Sequence, residues 1–187
     1  MSARILVFAG SARRASLNKR LAAVLSASIV TAGGEATLID LADYEMPLYH
    51  GDWEADNGAP ESARRLNALL AQHDGLALAS PENNASVSAL MKNTLDWLSR
   101  IDGGATLQGK AALLTAASPG ALGGLRGLSH LRDILHTLGV TTLPQTLAVS
   151  RAHEAFAEDG SLVNERQRGQ LDQLATRLIQ LTLALKG

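Results

Sequence analysis

Short apolar runs alternate with longer stretches of helical periodicity along this chain. Residues 4–9 form a near-continuous apolar run that ends in glycine and serine, which is typical of a strand buried on both faces of a parallel sheet. Apolar side chains then recur at helical spacing from Leu17 to Ile29, and Gly33 and Gly34 stop the pattern. The chain is therefore predicted to begin with a strand followed by a helix.

The same unit of strand and helix recurs along the rest of the chain. Further strands are predicted at residues 36–39, 75–79, 111–116 and 146–149. Helices are predicted at residues 60–70, 87–98, 125–138 and 162–185. Alternating strands and helices predict a parallel sheet with right-handed crossovers and with helices on both faces. The turn-rich stretch at residues 40–57 is the exception, and it is predicted to be a long loop.

Composition and charge narrow the class of protein. The 187 residues can bury roughly two-thirds of the surface that the unfolded chain exposes, so we expect a single domain over residues 1–187. The absence of cysteine excludes disulfides and thiol nucleophiles and suits a reducing compartment, which makes the cytoplasm the expected location. A formal net charge of −1 gives no basic field for nucleic acid or anionic lipid. No stretch approaches the ~18–20 apolar residues of a membrane helix, so we expect a soluble protein.

Polar or glycine-rich loops follow three of the predicted strands. We call residues 10–18 the first loop, residues 80–86 the second loop and residues 118–124 the third loop. In open α/β sheets, ligands bind outside the carboxyl ends of the strands, at the point where the strand order reverses. The three loops are therefore predicted to converge on one rim of the sheet and to form one ligand site.

The first loop combines groups that bind phosphate. It offers the hydroxyls of Ser11 and Ser16, the amide of Asn18, the guanidinium of Arg13 and the free N–H groups of a helix N-terminus. The loop lacks the glycine-lysine-serine pattern of nucleoside triphosphatases and the three-glycine pattern of dinucleotide folds, so a monophosphate fits better. The alternative is that Ser16 only caps the helix, while Arg13 and Arg14 are solvated charges.

The second and third loops could hold a flat heterocycle. Four polar side chains of the second loop could address the edge of such a ring: Glu82, Asn83, Asn84 and Ser86. The alternative is an ordinary turn in which Ser86 caps the next helix. The third loop has three glycines, which would let the backbone approach a flat ligand closely, although a glycine-rich helix start would look the same.

Four segments, taken together and in order, resemble the NADPH-dependent FMN reductase family, which includes bacterial quinone and chromate reductases. The segments are Gly10-Ser11-x-Arg13-x-x-Ser16-x-Asn18, Met46-Pro47-Leu48-Tyr49, Pro81-Glu82-x-Asn84-x-Ser86 with the following Leu90–Ser99, and Ser118–Gly127. The resemblance covers most of the chain. Within the third segment, Trp97 is expected to pack inside the protein because it lies a full helix away from the rim.

This resemblance implies a fold, a cofactor and a set of contacts. It implies a three-layer flavodoxin-like α/β fold with a five-stranded parallel sheet of order 2-1-3-4-5. It also implies FMN, with the phosphate on the first loop and the ring between the second and third loops, and a homodimer or a tetramer of dimers. The implied cofactor contacts are Ser11, Arg13, Ser16, Leu17 and Asn18, then Pro81, Glu82, Asn83, Asn84 and Ser86, and finally Ser118, Gly120, Gly123 and Gly124.

One position departs from the family pattern. The family usually has tyrosine beside the flavin where this chain has Asn83. Either the nicotinamide and the acceptor stack on the bare flavin face, or Tyr49 or Trp53 of a partner chain supplies the missing wall. The acceptor, which could be free FMN, a quinone, an azo compound or a metal oxyanion, stays open, and so does the choice between NADPH and NADH.

The leading hypothesis is an oxidoreductase in which FMN takes hydride from NAD(P)H and then reduces a second acceptor. Because the flavin performs the chemistry, no catalytic side chain is assigned. No metal ligand is assigned either, because no cysteine or cluster of carboxylates completes a set. Two alternatives remain at this stage. The protein could be an FMN-binding electron carrier without nicotinamide activity, or a flavin-free interaction module whose loops are only helix starts.

Overall fold

A parallel sheet lies at the centre of the computed structural model, which describes residues 2–186. The strands are β1 (Arg4–Ala9), β2 (Glu35–Ile39), β3 (Gly75–Ala79), β4 (Glu82–Asn83), β5 (Ser86–Val87), β6 (Ala111–Ala117), β7 (Thr141–Thr142) and β8 (Leu147–Val149). The α-helices are α1 (Leu17–Thr31), α2 (Gly51–Asn57), α3 (Glu61–Ala71), α4 (Ala89–Arg100), α5 (Leu125–Thr137) and α6 (Glu165–Lys186). Short 3₁₀ helices follow β2 (Leu41–Tyr44) and α4 (Ile101–Gly104).

The strand order of the sheet is β2-β1-β3-β6, and all its pairs are parallel. The predicted order is confirmed, and the strand predicted at residues 146–149 is β8. The structure adds a short strand that was not predicted, β7, and both β7 and β8 pair with β6. The backbone N–H of Leu143 still bonds the oxygen of Ala112 at 2.8 Å. Pro144 follows, and it has no N–H with which to continue the ladder. The chain returns to β6 only where Leu147 pairs with Thr115.

Helices cover both faces of the sheet, as the sequence predicts. Because side chains alternate along a strand, Ile5 and Val7 of β1 enter the apolar layer under α1 and α6. Leu6 and Phe8 enter the opposite layer, under α3, α4 and α5. Strands β3 and β6 are buried along their whole length. This double burial explains why the strands read as continuous apolar runs.

The prediction of a long loop at residues 40–57 is wrong. The segment contains the 3₁₀ helix and α2, and both begin with a side-chain cap. Asp40 accepts the N–H of Ala42 at 3.0 Å, and His50 accepts the N–H of Trp53 at 3.4 Å. Helix α2 contains no buried residue, so it has no apolar periodicity that the sequence could reveal.

No helix within residues 2–186 is both long enough and apolar enough to span a bilayer.

Candidate functional site

A cleft of about 710 Å³ opens at the carboxyl ends of β1, β3 and β6, and this volume lies within the usual range for cofactor sites. Its wall is formed by Gly10, Ser11, Ala12, Arg13, Ala15, Ser16, Leu17 and Asn18, by Pro81, Glu82 and Asn83, by Ser88, Ala89 and Leu90, and by Ala117, Ser118 and Pro119. The three loops therefore meet at one rim. Five of the cofactor contacts that the family resemblance implies lie outside this wall, namely Asn84, Ser86, Gly120, Gly123 and Gly124.

The first loop ends at the N-terminus of α1, which offers free hydrogen-bond donors to the cleft. Ser16 caps the helix, since its Oγ accepts the N–H of Lys19 at 3.3 Å and its carbonyl accepts the N–H of Arg20 at 3.2 Å. Throughout residues 2–186, the structure gives the N–H groups of Leu17 and Asn18 no acceptor. Unpaired amides and the positive end of the helix dipole suit an anion.

Two cations, Arg13 in the first loop and Lys19 directly after it, have different environments. The Nζ of Lys19 donates to the Asp40 carboxylate at 2.5 Å and to the carbonyl of Ala12 at 3.3 Å, so this lysine braces the loop against the end of β2. Burial raises the pKa of Asp40, but the hydrogen bonds from Lys19 and from the N–H of Ala42 outweigh it and lower the pKa. Arg13, by contrast, is exposed on the wall of the cleft, and its guanidinium pairs with no acid in the part of the chain that the structure describes.

Asn18 connects the first loop to the end of β6. Its side chain is buried, its Oδ1 accepts the N–H of Ala117 at 2.9 Å, and its Nδ2 donates to the carbonyl of Ala117 at 2.9 Å. One N–H of Nδ2 is left over. The carboxamide thus holds the start of the third loop in place beside the first loop.

Gly10 connects the first loop to α4. Its N–H donates to the carbonyl of Ala79 at 2.9 Å, and its carbonyl accepts the hydroxyl of Ser88 at 2.7 Å. A Cβ at this position would lie 2.9 Å from Cε and 3.0 Å from Cβ of Met91, so glycine suits the close approach to α4. Ser88 is the residue that sequence reasoning missed. The available signal was a serine one residue inside the predicted helix, since serine is favoured at an N-cap over a helix interior.

Ser88 also corrects the alternative interpretation of Ser86 as the helix cap, which is wrong. The Oγ of Ser88 accepts the N–H of Met91 at 3.1 Å and caps α4. Ser86 lies instead in β5, and its hydroxyl is 2.9 Å from Nδ1 of His130 on α5.

The second loop is a β-hairpin. Its strands, β4 and β5, are joined by Asn84 and Ala85, whose φ angles are 49° and 65°. Two consecutive residues in the left-handed region are the geometry of a type I′ turn, which matches the twist of a hairpin. Both residues of β4 line the cleft, and Asn83 lies exposed at its wall.

The side chain of Glu82 turns away from the hairpin and binds the start of α5. Its Oε1 accepts from Nε and Nη2 of Arg126 at 2.9 and 2.6 Å, and its Oε2 accepts the backbone N–H groups of Arg126 and Gly127 at 3.0 and 3.2 Å. Burial raises the pKa of Glu82, but these hydrogen bonds outweigh it and lower the pKa.

Two glycines of the third loop, Gly123 and Gly124, approach the sheet rather than the cleft. Gly123 has a φ of 63°, and a Cβ there would lie 2.8 Å from the backbone of Ala148 and Val149. A Cβ at Gly124 would lie 2.7 Å from Cβ of Ala116. These residues let the chain pass close to β8 and β6 on its way into α5, while Ser118 and Pro119 face the cleft.

The motif residues on α4 hold the segment before α2. Trp97 is fully buried, which confirms the expected packing role, and its Nε1 donates to the carbonyl of Pro47 at 2.8 Å. Oδ1 of Asn93 accepts the N–H of Tyr49 at 2.8 Å. The rings of Tyr49 and Trp53 meet Trp97 edge to face, at centroid distances of 5.1 and 5.6 Å. Within one chain, the rings of Tyr49 and Trp53 therefore pack against α4 and are not part of the cleft wall.

The donor set of the cleft fits FMN. Free amides, the Ser11 and Ser16 hydroxyls and Arg13 suit a phosphate monoester. Pro81, Leu90 and Pro119 give apolar surface for a ring. Fold and site together define a flavodoxin-like α/β protein with a mononucleotide cleft at the switch point of its sheet.

The chain belongs to the NADPH-dependent FMN reductase family, whose sequence profile matches residues 3–154. It is 34% identical to a 2-hydroxy-1,4-benzoquinone reductase of Burkholderia sp., over 90% of each chain. It is 32% identical to a quinone reductase of Escherichia coli K12, over 93% of this chain and 90% of that protein. Among solved structures, it resembles FerB of Paracoccus denitrificans, a flavoenzyme NAD(P)H:(acceptor) oxidoreductase, with a TM-score of 0.84, 28% identity and coverage of 97% and 98%.

Family membership gives the class of activity. The protein is an NAD(P)H-dependent flavin oxidoreductase that uses FMN, with a reduced nicotinamide nucleotide as the electron donor. An archaeal flavodoxin matches with a TM-score of 0.60 at 11% identity, and this likeness concerns the fold alone.

Proposed function

We propose that this protein is a quinone reductase that binds FMN with the phosphate against the first loop. The observation that carries the proposal is the N-terminus of α1, where two unpaired N–H groups, the Ser16 hydroxyl and the exposed Arg13 meet at the wall of one cleft. A phosphate monoester would pair with all of them. Ser11 and Leu17 complete this set, and Asn18 contributes by its remaining N–H and by holding Ala117.

The ring would lie between the second and third loops. Pro81, Glu82 and Asn83 would contact it mainly through their backbone, and Ser118 would contact it from the other side. Asn84, Ser86, Gly120, Gly123 and Gly124 then act by shaping the hairpin and the start of α5 rather than by direct contact. No side-chain acid or base is required of the protein in this scheme.

When bound, FMN supplies the hydride-accepting and electron-donating chemistry. The protein binds the phosphate, orients the ring and limits access of water to one face. The two prolines and Leu90 provide apolar cover, while Asn83 lies exposed where a substrate would enter. A polar residue at this edge of the cleft is compatible with an acceptor that carries oxygen atoms, as a quinone does.

The quinone assignment is supported by the two curated relatives, which are both named quinone reductases. Free FMN, azo compounds and metal oxyanions are the competing acceptors. NADPH is the proposed donor because the family carries it in its name. We further propose one FMN-binding domain that forms a homodimer or a dimer of dimers, located in the cytoplasm, where nicotinamide nucleotides are kept reduced.

An anaerobic titration tests the proposed function. The purified protein is mixed with FMN, freed of excess flavin, and treated with NADPH and then with 1,4-benzoquinone while its visible spectrum is recorded. Bleaching by NADPH followed by recovery with the quinone supports a reductase. A yellow protein that neither NADPH nor NADH bleaches would instead be a carrier, and a colourless protein would have no flavin site. Either of these results overturns the proposal.

A further inference from the structure

The hairpin that borders the cleft has little stability of its own. Each of its strands, β4 and β5, has two residues, and an isolated two-stranded hairpin is marginally stable at best in water. Its turn places Ala85 at a φ of 65°, where a residue with a Cβ is strained. The position of the hairpin therefore depends on what it is attached to.

Both strands of the hairpin are attached to α5. On β4, the Glu82 carboxylate accepts four hydrogen bonds from Arg126 and Gly127, and 9% of its side chain is exposed. On β5, the Ser86 hydroxyl lies 2.9 Å from Nδ1 of His130. The Glu82 contact is charge-assisted on both sides, which makes it the stronger of the two.

Glu82 also replaces a missing cap of α5. The N-cap residue of this helix is Gly124, which has no side chain to accept the first free N–H groups. Gly127 permits the close approach of the hairpin, since a Cβ there would lie 3.0 Å from the carbonyl of Ser86 and 3.3 Å from Cβ of Glu82. The carboxylate thus satisfies amides of one element while it fixes the other.

We propose that Glu82 is a positioning residue, whose side chain locks the hairpin onto α5 and so holds Pro81 and Asn83 at the ring side of the cleft. This inference rests on the proposed function, because it assigns those two residues to the wall that an acceptor meets. The side chain itself faces Arg126 and does not need to touch the flavin or the substrate.

The test uses the FMN-loaded enzyme with NADPH and varied 1,4-benzoquinone. Glu82→Ala is expected to raise the KM for the quinone about tenfold, the equivalent of one lost net hydrogen bond to a charged group, and to shift the visible band of the bound flavin. Glu82→Gln keeps an oxygen for the α5 amides and should recover most of both properties. Leu135→Val shortens a fully buried side chain of α5. It is the control that shows how a general loss of packing around α5 affects the KM and the flavin spectrum.

The outcomes of this test distinguish failure of the positioning role from failure of the proposed function. A raised KM and shifted band in Glu82→Ala, recovered in Glu82→Gln and absent in Leu135→Val, support a positioning role. A wild-type enzyme that turns over, together with a Glu82→Ala variant that keeps its KM and spectrum or behaves like Leu135→Val, overturns the positioning role alone. A wild-type protein that neither NADPH nor NADH bleaches overturns the proposed function, and the inference with it.

Discussion

The carboxamide of Asn18 forms two hydrogen bonds with the backbone of Ala117, a residue 99 positions further along the chain. Asn18 lies in the first turn of α1, and Ala117 is the last residue of β6. Since the two residues bring the first and third loops together, the shape of the cleft depends on one buried amide.

Replacing Asn18 by alanine should therefore destabilise the protein. The change leaves the N–H and the carbonyl of Ala117 without their buried partner, at a cost of about 2 kcal/mol in the free energy of unfolding. Urea unfolding of the flavin-free protein measures this loss of stability. Gln173→Ala, which removes an exposed amide from α6, should change the free energy by a few tenths at most. Equal stability of the two variants would contradict the bridging role.

Gly169→Ala should stabilise the protein. Gly169 lies in the exposed part of α6, its φ is helical, and a Cβ there meets no atom within 4 Å. Alanine costs less backbone entropy than glycine in a helix, so the free energy of unfolding should rise by about 0.5–1 kcal/mol. The midpoint of urea unfolding reports the gain.

Gly124→Ala is the control for this prediction, because it should lower the midpoint of urea unfolding. Its φ of 96° and the 2.7 Å approach to Cβ of Ala116 leave no room for a side chain. This variant should be less stable than the wild type. If Gly169→Ala lowered the midpoint as well, the packing described for α6 would be wrong.

Asp74 should control stability on the acid side. Its carboxylate accepts the N–H of Arg4 and pairs with Lys186, each at 2.9 Å, and 8% of its side chain is exposed. Burial raises the pKa of Asp74, but these partners outweigh it, so the folded-state pKa lies below the unfolded value. The contribution to stability is therefore complete above the unfolded pKa, about 3.9, and is lost as the pH falls through the folded pKa.

Asp74→Asn should accordingly cost about 1.5–3 kcal/mol of unfolding free energy at pH 7, and the difference from wild type should shrink below pH 4. Asp96→Asn serves as the control, because Asp96 only forms an i,i+4 pair with Lys92 on the surface of α4, which is worth a few tenths of a kcal/mol. Urea unfolding of the wild type and both variants at pH 7 and at pH 3.5 measures the cost of each substitution. A cost of Asp74→Asn that stayed constant between those pH values would rule out this explanation.

The sequence predicts the centre of the fold better than its edges. Strands β1, β3 and β6 are buried on both faces, so their apolar runs were unambiguous. Helix α2 has no fully buried residue and gives no periodic signal. The two-residue strand β7 was not predicted, because it is recognisable only by its pairing with β6, and Pro144 separates it from β8.

The site was predictable as a set of loops but not as a set of contacts. The carboxyl ends of parallel strands meet at one edge, so the convergence of the loops follows from topology. The pairing of Glu82 with Arg126 spans 44 positions, and no local pattern encodes it. The same holds for Asn18, whose carboxamide binds the backbone of a strand distant in sequence. Such partners become visible only when the packed elements are in place.

The affinity of the Arg13→Ala variant for FMN tests the central claim most directly. Arg14→Ala is the matched control, since Arg14 neighbours Arg13 but lies outside the wall of the cleft. Riboflavin, which has the same ring and no phosphate, is the matched ligand. If the first loop holds the phosphate, Arg13→Ala should weaken FMN binding by about 1.5–3 kcal/mol, roughly 10- to 150-fold in Kd, and leave riboflavin binding unchanged, while Arg14→Ala should change neither. Unchanged FMN affinity in Arg13→Ala, or an equal loss for riboflavin, would contradict the account.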